Sequence, residues 1–228
     1  MSAGFLAGLR LATLWAPILG VALIFETLLW EQAMFGSGLF STTSEFLAWS
    51  VAVLLGGFAG APAAVVERAR AREEAPWWRD VVTALLAVLV VGVSCAFYYL
   101  EFGYTEAALA HGPEAGIAAL AKQWVAMRAS PERYFQECWI CGVPYGVTLF
   151  LRARRVSVRL QVVLVPLATS LLAAPSALRL VRIETADFTA TGFLVGEAML
   201  FFLIPITLAI ATRLDEWLVA RRAANASS

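Results

Sequence analysis

Apolar residues in this chain come in blocks of bilayer length, separated by short stretches of charge, glycine and serine. A helix that crosses a membrane needs about 20 consecutive, mainly apolar residues. Six segments approach that length, at about 11–30, 46–66, 81–100, 134–151, 160–178 and 192–212. The pattern predicts an all-α integral membrane protein, a six-transmembrane-helix bundle forming one polytopic domain over residues 1–212. Residues 213–228 place Leu214, Trp217 and Leu218 on one helical face and end in Ala, Asn and Ser. They are expected to form an amphipathic, then disordered, tail lying along the membrane.

Helix start and stop signals fall between the blocks. Thr42 and Glu45 have capping-box spacing and open the second segment. Pro76 followed by Trp77 and Trp78 reads as a stop and an interfacial anchor. Segment three ends in an aromatic collar, Phe97-Tyr98-Tyr99. Beyond it, Ile117, Leu120, Trp124 and Met127 recur at spacings of three and four after Gly112-Pro113. That spacing predicts an extracytoplasmic amphipathic helix between segments three and four, either lying in the membrane interface or, as favoured, capping the bundle. Ser130-Pro131-Glu132 looks like the start of segment four, whose uncharged core, Cys138 to Leu151, is short enough to raise a re-entrant alternative.

Charge decides that alternative and orients the whole. With six spans, Arg10, the arginines at 68, 70, 72 and 79, those at 152, 154, 155 and 159, and Arg213, Arg221 and Arg222 share one side, 12 of the 17 basic residues. Short loops rich in Lys and Arg stay cytoplasmic. Both termini are thus expected inside, in an inner (cell) membrane, with 11 of the 17 carboxylates toward the outer face. Composition agrees: 61% of residues are hydrophobic and 15% charged, against roughly 45–50% and 25% in soluble domains. A net charge of zero and the lack of a basic, aromatic-interleaved face give no reason to expect nucleic acid.

Small residues suggest how the helices meet. Every fourth residue from Ala48 through Ala52, Gly56 and Gly60 to Ala64 is small. In lipid, such a stripe lets two backbones approach closely. It is read chiefly as internal packing, and otherwise as a docking face for another membrane subunit or a second copy.

Candidate chemistry is sparse. Glu26 and Glu197 lie within spans, in the outer half, each with a proline eight or nine residues toward the cytoplasm, Pro17 and Pro205. Intramembrane carboxyls are costly and commonly serve cation sites or proton relays. Glu101 and Glu137 at outer helix ends would complete an acidic vestibule. Cys138 and Cys141 form a C-x-x-C at the start of a helix, which an oxidising compartment would let close into a disulfide. The one remaining cysteine, Cys95, supplies no second pair to relay electrons, so small apolar filling is the favoured account. His111 is the only histidine, so neither a bis-histidine haem nor a histidine-rich zinc site can be built within the chain. No cofactor, metal or catalytic constellation is expected.

Five of the six segments contain proline, and bent helices around a polar pocket are how bundles hold solutes. Size and helix count resemble the vitamin-binding subunits of energy-coupling transporters, a likeness of fold alone. The expected role is the membrane subunit of a solute-transport assembly. The alternatives are a scaffold docking through the segment-two stripe and a thiol-disulfide protein using Cys138 and Cys141.

Overall fold

The computed structural model describes residues 3–35, 61–70, 76–184 and 190–226, and every regular element among them is helical. The helices are α1 (Ala3–Phe35), α2 (Ala61–Arg70), α3 (Trp77–His111), α4 (Pro113–Ala129), α5 (Pro131–Ala153), α6 (Val158–Glu184) and α7 (Ala190–Ala226). Two stretches, Gly4–Ala22 and Trp77–Ser94, are long and apolar enough to cross a membrane by length and composition.

Helices α1, α3 and α7 run furthest beyond their apolar blocks. α1 has 33 residues and begins well before Leu11. It continues through Arg10 because that guanidinium finds a carboxylate on α7. α3 has 35 residues, about 52 Å at 1.5 Å per residue, so the aromatic collar at 97–99 does not end it. α7 has 37 residues and runs through Arg213 to Ala226 without a break. Residues 213–226 continue that helix. Asp215, inside that stretch, is buried.

Helix starts agree with the sequence signals better than helix lengths do. Proline occupies the first turn of both α4 and α5, where its missing N–H leaves no bond unmade. Gly112 joins α3 to α4 with φ of 93°, a left-handed conformation that a side chain would strain. α5 is an unbroken helix of 23 residues, with Pro144 inside it. It is about 34 Å long.

One core joins five helices. Leu11, Trp15 and Leu19 follow each other at spacing four along α1, and meet Ala63 and Ala64 of α2, Ala87 and Val91 of α3, Tyr145 and Leu149 of α5, and Ile204, Leu208 and Ala211 of α7. Trp15 anchors the centre. Its indole N–H donates to Thr207 Oγ1 at 3.0 Å, and its ring meets Tyr145 edge-on at 5.7 Å between centroids. Outside, large apolar side chains stay uncovered, among them Leu85, Leu89 and Val93 on α3 and Val163, Leu167 and Leu171 on α6. A surface of that kind suits lipid better than water.

Glycines set the closest helix approaches. A methyl at Gly8 of α1 would lie 2.7 Å from Val65 Cα of α2. One at Gly142 of α5 would lie 2.3 Å from the carbonyl oxygen of Val88 on α3, and one at Gly146 would lie 2.8 Å from that of Ala84. Gly142 and Gly146 are four residues apart, so the G-x-x-x-G pair of α5 seats it directly on the α3 backbone. Of the stripe from Ala48 to Ala64, only Ala64 falls within the described residues, and it is buried in the core just described. Ala48, Ala52, Gly56 and Gly60 lie outside them.

α4 lies against the far part of α3. Gly116 sits over Tyr104 and Ala108, and Gly103 over the Gln123 side chain. Ile117 and Trp124 are 61% and 52% exposed, and Leu120 is exposed too. Its apolar stripe is thus turned away from the bundle, because small residues make the helix–helix contact.

Candidate functional site

Charged residues that flank different apolar segments converge at one end of the bundle. Arg10 comes one residue before the Leu11–Trp15–Leu19 stripe, Glu67 and Arg68 close α2, Asp80 opens α3, Arg152 closes α5, and Asp215 follows Ala211 by one helical turn. Their common depth follows from helices that run alternately up and down the bundle.

Asp215 is the hub. Its side chain is 2% exposed and both oxygens are occupied. Oδ1 accepts from Arg10 Nε, and Oδ2 accepts from Arg10 Nη2 at 3.2 Å and from Arg68 Nη2 at 3.1 Å. Burial alone would raise this carboxyl, but hydrogen bonds and charge from Arg10, and then Arg68, outweigh it and hold the group below the ordinary carboxylate range.

Glu67 belongs to a second, looser pair. Consecutive helical residues point about 100° apart, so Glu67 and Arg68 address different neighbours. Glu67 Oε1 accepts from Arg152 Nε at 2.7 Å, and the charged Nη2 of Arg152 lies 2.6 Å from the same oxygen. Arg152 Nη2 also donates to Thr212 Oγ1 on α7, at 3.2 Å. Among the described residues, Glu67 Oε2 is buried with no hydrogen-bond partner, as is Arg68 Nε. Here burial wins: it pushes the Glu67 carboxyl above its usual range, with Glu216 adding to the rise, although Arg152 and Arg68 oppose it.

A third contact lies beside these. Arg154 Nη1 reaches Asp80 Oδ2 at 3.4 Å, from the end of α5 to the start of α3. Below the ionic layer come Trp15, Thr207 and Tyr145, so the charges rest on an aromatic and aliphatic floor. Together the contacts tie α1, α2, α5 and α7 into one charged plug and α3 to α5 beside it. Such a plug can close the end of a bundle and can exchange protons through its carboxyls.

The residues favoured from sequence lie elsewhere. Glu26 is on α1, Glu101 on α3, Glu137, Cys138 and Cys141 on α5, and Glu197 on α7, but their side chains fall outside the described residues. Sequence reasoning misses the ion cluster, because its members look, one at a time, like loop charges. One signal is present: each stands at the boundary of an apolar segment, hence at one depth. Among the described residues, no group of three His, Cys, Asp or Glu side chains is placed to hold a metal ion.

No family model, no curated protein and no solved structure matches the chain.

Proposed function

We propose that the chain is a six-span inner-membrane bundle with both termini in the cytoplasm, acting in solute movement as the membrane subunit of a larger assembly. The observation that carries this reading is the plug. It gathers Arg10, Arg68, Arg152 and Asp215 from four helices at a single level. Four helices meeting through ions at one level, on the side that collects most arginines, supports the cytoplasmic assignment of those loops. A bundle closed by ions at that end, with Glu26, Glu101, Glu137 and Glu197 toward the other, has the polarity of a pocket entered from outside.

Mild detergent extraction followed by native mass spectrometry tests the role. A small molecule retained by the wild-type chain and lost from the Glu26→Gln, Glu197→Gln double variant is the expected result. Retention of another protein alone would favour the scaffold reading, and retention of phospholipid alone would overturn the carrier. Biotinylation of a cysteine at Ser157 from the outside of intact cells would invert the orientation.

A further inference from the structure

We propose that the Glu67 carboxyl is a proton-binding site that controls the ionic tie between two halves of the bundle. One half is α1, α2 and α7. It is held by the close approach of Gly8 to Val65, by Arg10 and Arg68 on Asp215, and by the bond from Trp15 to Thr207. The other half is α3, α4 and α5. It is held by Gly142 and Gly146 on the α3 backbone, by Gly116 on Tyr104 and Ala108, and by Arg154 on Asp80. The two halves share the core through Trp15 on Tyr145, and α6 packs on both α5 and α7; at the charged end Arg152 crosses between them, leaving α5 to reach Glu67 on α2 and Thr212 on α7.

The two carboxylates of the plug differ in their capacity for a proton. Both oxygens of Asp215 are filled by arginine N–H groups. Glu67 meets Arg152 through Oε1 alone and, among the described residues, keeps Oε2 buried without a partner. A proton arriving from water at this end forms an O–H bond at Oε2, and no other bond need break. The charged groups that act on Glu67 are Arg152 on α5, Arg68 beside it and Glu216 on α7, and past them the plug holds Arg10, Asp215, Arg154 and Asp80. Asp80 is engaged by Arg154, and Asp215 by Arg10 and Arg68, so neither can replace the lost anion for Arg152. Burial already disfavours the ionised form of Glu67. Once that carboxyl is neutral, Arg152 keeps only neutral partners, the Glu67 carbonyl oxygen Oε1 and the Thr212 hydroxyl, and faces Arg68 and Arg10 across the plug. Repulsion then moves the end of α5, with α3 behind it, away from α2 and α7.

This proposal rests on the plug alone and is read by helix position, so it stands or falls separately from solute binding. Cys95, Cys138 and Cys141 are replaced by serine, and spin labels are placed on cysteines at the exposed positions Ser157 and Ala220, beyond the ends of α5 and the plug on α7. Pulsed dipolar spectroscopy in lipid nanodiscs gives the separation at about pH 8 and about pH 5, above and near the ordinary carboxylate range. The expected result is a shift to longer distances at the lower pH. Glu67→Gln should show the long distances at both pH values. Arg152→Gln should do the same, and serves if the glutamine variant at 67 does not fold. A separation that ignores pH in the parent chain, or a Glu67→Gln chain that still follows pH as the parent does, would overturn the proposal.

Discussion

At the arginine-rich end, helices meet through side chains that carry full charge. Asp215 is enclosed by Arg10 and Arg68, and Glu67 is reached by Arg152. About 35 Å along α3 from Asp80, α3 and α4 meet at glycines: Gly103 lies under Gln123, and Gly116 lies on Tyr104 and Ala108. The first arrangement is strong only while every ion keeps its partner, since a buried charge left alone is costly. The second is insensitive to charge but tolerates no added volume. An end built the first way can be changed by a proton, whereas one built the second way cannot.

The sharpest way to break the comparison is Asp215→Asn. It leaves Arg10 and Arg68 without the carboxylate that both of them use, and removing one partner of a buried ion pair typically costs about 3–5 kcal/mol. Thermal unfolding in detergent, followed by tryptophan fluorescence, should show a larger loss than overpacking at a glycine contact would cause. A variant melting with the wild-type chain would mean that the hub carries no stability.

Gly146→Leu attacks the glycine-built type of contact, where α5 crosses α3. The first added carbon already meets the Ala84 carbonyl at 2.8 Å, and the helices must separate to admit the rest. Overpacking of this kind costs about 1–3 kcal/mol. The loss should be the same across the carboxylate pH range, which distinguishes it from that of Asp215→Asn.

The two designs are unequally legible in the sequence. Helix starts can be read wherever the backbone announces them, as at Pro113 and Pro131. Helix ends cannot be read from hydropathy, because Arg10 and Asp215 lie in the middle of long helices and are tolerated there only through each other. That pairing spans most of the chain, and no local pattern reveals it. Gly142 and Gly146, by contrast, obey the same spacing rule that singles out Ala48 to Ala64, and are open to the same reading. The exposed stripe of α4 shows the limit of periodicity: Ile117, Leu120 and Trp124 share a face, but spacing does not say whether protein or lipid covers it.

Trp124→Ser tests that exposed face. The side chain is half exposed, and the α3 contact runs through Gly116 and Gln123, so its removal should change unfolding by no more than about 0.5 kcal/mol. A larger loss would show that the stripe is covered within the folded chain.

Glu67→Gln should have the smallest effect on stability at neutral pH and the most informative dependence on it. Asp215, held below its ordinary value, adds stability that is present above about pH 3.9 and is lost as pH falls through its folded value. Glu67, held above its ordinary value, has the opposite sign: its contribution is complete below about pH 4.3 and is lost as pH rises through its folded value. Glutamine at 67 resembles the protonated acid and never incurs that loss. The variant should therefore match the wild-type chain near the ordinary carboxylate range and melt slightly above it at neutral pH, with the acid limb due to Asp215 unchanged. If Glu67→Gln instead loses stability progressively as pH rises, the ionised pair with Arg152 contributes more than its burial costs. The two carboxylates would then behave alike, and the plug would respond to acid as a single unit.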